Sequence, residues 1–196
     1  MNLSTGHPGG LHCRLKTAAA LLAACVLAAQ TQDFTYKRSL EAYVVPDVTL
    51  VNQEGKPVNL KRTLESGEPV ILDFIFGTCT TVCPVLSAGY ANLQARLGTA
   101  SGKVNLLSIS IDPENDSPKV MRDYLKRYRA KPGWTFLTGK REDVDKAMRA
   151  FNAYIPNKMS HQPLTFIRLK DGRWVRIFGL MSSTEFLDEC KKAGLL

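Results

Sequence analysis

The run Val70-Ile71-Leu72-Asp73-Phe74-Ile75-Phe76 is apolar at every position but one. A strand with water on one face alternates polar and apolar residues. A run without alternation, rich in β-branched and aromatic side chains, fits a strand buried on both faces of a mostly parallel sheet. Gly77 breaks the run, and Leu86, Tyr90, Leu93 and Leu97 follow at three- and four-residue spacing, the stripe of an amphipathic helix over 84–97. A second apolar run, Val104 to Ile111, stops at Asp112 and Pro113. Ser117 then supplies an N-cap and Pro118 a first helical residue for a helix through Met121, Leu125 and Tyr128. Strand, helix, strand, helix is the order of an α/β domain whose helices cover a sheet.

The remaining segments fit the same plan. Residues 46–60, PDVTLVNQEGKPVNL, alternate around a turn at Gly55 and read as an N-terminal β-hairpin. A short strand at 134–137 and a helix over 142–151 continue the alternation. Strands at 164–169 and 174–178 flank the turn residues Asp171 and Gly172, and Ser183 caps a final helix. The expectation is a central mixed sheet with helices on both faces. Residues 30–45 show no strong period and read as a linker ahead of one domain over 46–196, and 44% apolar composition in a chain of 196 residues suffices for one such core.

Residues 1–29 stand apart. Arg14 and Lys16 precede the apolar stretch Thr17 to Ala29, which is too short to be an ordinary membrane span and reads as an export signal. Three outcomes stay open: cleavage near Val26, Leu27 and Ala28; lipidation at Cys25, since Leu22-Ala23-Ala24-Cys25 has the form of a bacterial lipoprotein box; or retention as a signal anchor. Each places the domain in the periplasm or on the outer side of the cytoplasmic membrane, with a membrane tether in the last two. Without the leader, 24 basic residues face 18 acidic ones, a net +6. The one dense basic stretch, Lys126, Arg127, Arg129 and Lys131, lacks interleaved aromatics and reads as a solvated helix face rather than a nucleic-acid surface.

Of five cysteines, Cys13 and Cys25 fall in the leader, and Cys190, alone near the end of the last helix, reads as a small core residue. Cys79 and Cys83 sit in GTCTTVCP, where the buried strand hands over to the helix. At a helix N-terminus, free amides and the dipole favour thiolate over thiol. Four-residue spacing, if already helical, aims both sulfurs the same way. The pair can hold a soft metal ion or close into a disulfide. One histidine lies outside the leader, His161, just before the 164–169 strand. If that strand neighbours the 70–76 strand, His161 approaches the cysteines. Two thiolates suit Cu(I), and an added imidazole admits Cu(II). Zinc usually takes a fourth protein donor, and none is evident. Pro163, before the same strand, is open to a cis or a trans bond, trans being the base expectation.

GTCTTVCP at 77–84, SIDPENDSP at 110–118, WTFLTG at 134–139 and His161 ten residues ahead of the Asp171-Gly172 turn together resemble the Sco/SenC family of thioredoxin-fold copper proteins, over most of the chain from Pro46 onward. The resemblance implies a thioredoxin-like fold and an exported copper-binding domain with Cys79, Cys83 and His161 as ligands. It further implies a role in loading the dinuclear copper centre of cytochrome c oxidase, or in reducing that centre's cysteines, with an oxidase subunit as the client. Two departures stand out. Thr80, Thr81 and Val82 occupy the space where the family often has Pro and Asp, and Ser160 replaces an Asp before the histidine. The surroundings that orient the imidazole must therefore differ.

Two functions compete. A copper chaperone would capture the ion with Cys79, Cys83 and His161 and release it by ligand exchange. A thiol-disulfide oxidoreductase would use Cys79 and Cys83 as a redox-active dithiol, one attacking and one resolving. Three intervening residues instead of the two of a thioredoxin-type motif, and a histidine with no evident place in pure disulfide exchange, favour copper. A peroxidase would need a proline and a threonine ahead of a single reactive cysteine, which this chain lacks. A structural disulfide would bind no metal. Asp112 and Asp116, in the loop after the second buried strand, either cap turns or orient the site.

Overall fold

The computed structural model describes Met1, Asn2 and residues 35–196. Residues 3–29 of the expected leader, with Cys13 and Cys25, and the first residues of the expected linker lie outside that part. In chain order the elements are β1 (Tyr36–Glu41), β2 (Thr49–Asn52), β3 (Pro57–Asn59), α1 (Leu60–Leu64), β4 (Val70–Ile75), α2 (Val82–Leu97), β5 (Asn105–Ser110), α3 (Pro118–Arg127), β6 (Trp134–Thr138), α4 (Arg141–Ala150), β7 (Leu164–Arg168), β8 (Trp174–Gly179) and α5 (Ser183–Lys192). The strands form one mixed sheet in the order β1-β8-β7-β4-β5-β6-β2-β3. β4, β5 and β6 run parallel, while β7 lies antiparallel against β4.

Every residue of β4 is buried, as its unbroken apolar run requires. Register places Asp73, Ser108 and Phe136 side by side on one face of the sheet. Helices α2, α3 and α5 cover that face. Tyr90 of α2 meets Trp134 edge-on at 5.3 Å between centroids and stacks on Phe186 of α5 at 6.0 Å, while Tyr124 of α3 meets Phe136 at 5.3 Å. On the opposite face Phe74, Phe166 and Trp174 pack around Phe151 at the end of α4. Aromatic pairs at these separations add to the burial of large apolar surfaces on both sides.

The expected hairpin is present as β2 and β3, with Gly55 at φ +78° in its turn and Asn52 Oδ1 accepting from the Glu54 and Lys56 amides. Ser117 caps α3 through the Val120 amide, with Pro118 in the first turn. Three expectations need correction. Part of the expected linker, Tyr36–Glu41, is a strand that pairs antiparallel with β8 along its length. Its weak periodicity hid this. The strand is fixed from outside itself, by Glu189, a buried residue of α5 that accepts from Tyr36 Oη at 3.1 Å and Arg38 Nε at 2.9 Å. The cap of α5 is Ser182, not Ser183, because only Ser182 stands three residues before Glu185 and completes a reciprocal capping box with it. Helix α2 starts two residues earlier than expected and takes Cys83 into its first turn. No cis peptide bond occurs among the described residues, so Pro163 is trans. No described helix is long and apolar enough to cross a membrane.

Candidate metal centre

Because β7 runs antiparallel beside β4, the loop entering β7 and the loop leaving β4 meet at one sheet edge. Cys79 lies in the loop after β4, Cys83 in the first turn of α2, and His161 directly after the short 3₁₀ turn Lys158–Ser160 that precedes β7. The two sulfurs and an imidazole nitrogen all lie within 4.8 Å of one another. Cys83 Sγ stands 3.7 Å from His161 Nδ1. A three-coordinate ion with bonds of about 2.0–2.3 Å would hold its donors roughly 3.5–4 Å apart, so a small contraction closes the set. Both cysteines are free thiols. Among the described residues no carboxylate joins the three, which leaves a donor set of two soft sulfurs and one borderline nitrogen, fitted to a soft ion rather than to a hard one.

The two thiols differ, contrary to the expectation that the helix end favours thiolate at both. Cys83 is fully buried, and burial drives its thiol well above the ordinary value, with its hydrogen bond to Cys79 acting in the same direction. Cys79 is half-buried. Burial pushes it up as well, but hydrogen bonds from the Cys83 thiol and from the backbone at Thr81 and Cys83 outweigh that and hold it below the ordinary value. Its Sγ also lies 3.6 Å from Thr81 Oγ1. Burial lowers the His161 pKa, an effect the Phe74 carbonyl partly opposes, so the ring is neutral near pH 7. With Nδ1 toward the thiols, the metal-binding tautomer keeps its proton on the buried Nε2. The ring stands edge-on to Phe76 at 6.2 Å.

Four residues brace the two loops. Asp116 receives the Gly77 amide on both carboxylate oxygens, at 3.1 and 3.0 Å, together with the Ser110 hydroxyl. Arg127 donates to the Gly77 carbonyl at 3.2 Å. A Cβ at Gly77 would meet Asp116 Oδ1 at 2.7 Å and displace that carboxylate. Lys158, at the start of the histidine turn, pairs with buried Asp112 and lies 5.5 Å from the Phe76 ring. Asp112 and Asp116 thus orient the site in addition to shaping their own loop. Lys126, Arg127, Arg129 and Lys131 are all exposed, as the reading of that stretch as a solvated face expects, and Arg127 also lies over Tyr124 at 4.8 Å. Lys158 gave no signal in the sequence. A cleft of about 70 Å³, lined by Phe76, Cys79, Thr81, Lys158, Met159 and His161 among others, opens the site to solvent. Cys190 is buried in the core as expected.

A family model described as SCO1/SenC matches residues 37–192. The SCO1 protein homolog of Bacillus subtilis (strain 168) is 32% identical over 154 residues, covering 74% of this chain and 79% of the relative. The solved structure of BsSco, described as a member of the Sco family of cytochrome c oxidase assembly proteins with a disulfide switch, superimposes with a TM-score of 0.65. It is 30% identical, over 81% of this chain and 97% of that one. Bradyrhizobium japonicum ScoI with copper bound superimposes with a TM-score of 0.63 at 28% identity, over 76% of this chain and 99% of that one.

Proposed function

The chain belongs to the SCO1/SenC family, and we propose that it is an exported copper carrier in which Cys79, Cys83 and His161 hold the ion and pass it to a client, the subunit of cytochrome c oxidase that carries the dinuclear copper centre. One observation carries the reading: two thiols and an imidazole nitrogen converge within 4.8 Å at the base of a solvent-open cleft. The kinship with copper-bound ScoI supports copper as the cargo. Thiolate pairs prefer Cu(I), and the nitrogen keeps Cu(II) within the site's range. The leader at 1–29 puts the domain in the periplasm or on the outer face of the cytoplasmic membrane, and Cys25 lipidation or an uncleaved anchor would tether it there.

Anaerobic titration of the reduced chain with Cu(I) against a competing chelator tests this. The expected result is one ion per chain, with affinity falling roughly 10- to 100-fold in His161→Ala. An absence of binding would sink the reading.

The unequal thiols favour a second reading, disulfide exchange with the client's cysteines. Cys79, the less buried and the more acidic, attacks a client disulfide and expels one client thiolate. Cys83 then loses its proton, attacks Cys79 Sγ and releases the second client thiol, so two electrons pass to the client and a Cys79–Cys83 disulfide forms. His161 has a place here after all, since Nδ1 at 3.7 Å from Cys83 Sγ can take that proton. The disulfide switch identified in BsSco supports this reading.

A further inference from the structure

The rim of the copper cleft holds an exposed thioether that neither reading uses. Met159 is 76% exposed and lines the cleft with Cys79 and His161. The other large exposed apolar residues among those described are Met1 and Leu196 at the chain ends and Leu40 and Val44 in the N-terminal arm. Met159 alone stands at the site. Its backbone is held firmly: Asn157 Oδ1 accepts the Met159 amide at 3.0 Å, the Asn157 carbonyl accepts the Ser160 amide at 2.9 Å, and Lys158 pairs with Asp112. The turn therefore presents a long unbranched thioether, free to swing, from a fixed base.

Cys83 is fully buried, so an incoming ion must pass the Cys79, His161 and Met159 side. A thioether is a soft donor for Cu(I) that carries no proton and no charge. We propose that Met159 Sδ is the entry and exit ligand of the site: it takes Cu(I) from the donor complex, yields it to Cys79 and then to Cys83 and His161, and receives it again at handover. Copper stays Cu(I) throughout. One donor–copper bond breaks as one sulfur–copper bond forms, and the protons displaced from the two thiols leave to solvent. This inference rests on the copper-carrier reading.

The test compares the full reduced chain with Met159→Leu, which keeps size and apolarity and removes the sulfur, and with His161→Ala as the control for a resident ligand. Cu(I) is supplied as its bicinchoninate complex, and both the equilibrium affinity and the stopped-flow transfer rate are measured. Met159→Leu should leave the affinity within about threefold and slow uptake and release by roughly tenfold or more. Unchanged rates would overturn the inference while the carrier reading stands. A loss of affinity as large as that of His161→Ala would make Met159 a resident ligand and overturn the transient role. Failure of the unaltered chain to bind Cu(I) would remove both.

Discussion

Two of the buried carboxylates beneath the cysteines, Asp116 and Asp73, are treated by the fold in opposite ways. At the sheet edge, Asp116 is bonded by the Gly77 amide and the Ser110 hydroxyl, and through Gly77 it fixes the loop that carries Cys79. In the middle of the sheet, Asp73 of β4 is fully buried with neither oxygen hydrogen-bonded, and the Tyr90 hydroxyl is likewise unpartnered. Burial raises the Asp73 pKa to about 7; Ser108, whose hydroxyl already accepts from Trp134 Nε1, offsets only part of this. The edge is a bonded frame that holds geometry. The middle is an uncompensated charge site whose ionised form pushes the Cys83 thiol further up. A polar group in this fold thus either positions the site or tunes it electrostatically, according to whether its hydrogen bonds are made.

The sharpest way to break this contrast is pH. The folded chain holds the Asp73 proton up to about pH 7, whereas the unfolded chain releases it near the ordinary carboxylate value of 3.8. The folded state is therefore favoured at low pH, loses that advantage as pH rises from about 4, and bears the full penalty above about 7. Urea unfolding across pH should find Asp73→Asn more stable than the unaltered chain by on the order of 4 kcal/mol at pH 8 and little different at pH 4. Equal gaps at both pH values would show that Asp73 is not an uncompensated charge.

Asp116→Ala should act in the opposite sense. It strands the Gly77 amide and the Ser110 hydroxyl in a buried setting and should cost about 3 kcal/mol, measured by the same unfolding method. A loss below 1 kcal/mol would mean that the edge is not a bonded frame. The smallest effect belongs to Asp112→Asn, which releases the half-exposed Lys158. Stability should fall by about 1 kcal/mol or less, while Cu(I) affinity falls roughly tenfold because the turn before His161 loosens. Unchanged affinity would detach that ion pair from the site.

The elements that could be read from sequence are those whose pattern is local. β4 and β5 are unbroken apolar runs, α3 carries its cap and proline in adjacent positions, and the β2–β3 turn is set by Gly55. β1 could not be read, because Tyr36–Glu41 acquires its structure from β8 and from Glu189, about 150 residues away. Ser182 and Ser183 are chemically identical, and only the reach to Glu185 separates them. The site followed the same rule. Cys79 and Cys83 announced themselves by spacing, and His161 by being the one histidine outside the leader. The braces did not. Arg127 and Asp116 reach Gly77 across 50 and 39 residues, and Lys158 reaches Asp112 across 46, distances over which no periodicity speaks. The inequality of the two thiols was also out of reach, since it depends on how deeply the first turn of α2 sinks Cys83.

The central claim is that two sulfurs and one imidazole nitrogen hold the ion. X-ray absorption of the Cu(I)-loaded chain measures that donor set directly. The account predicts two sulfurs at about 2.2–2.3 Å and one nitrogen at about 2.0 Å, with the nitrogen lost in His161→Ala. A sulfur-only shell that is identical in His161→Ala would contradict it.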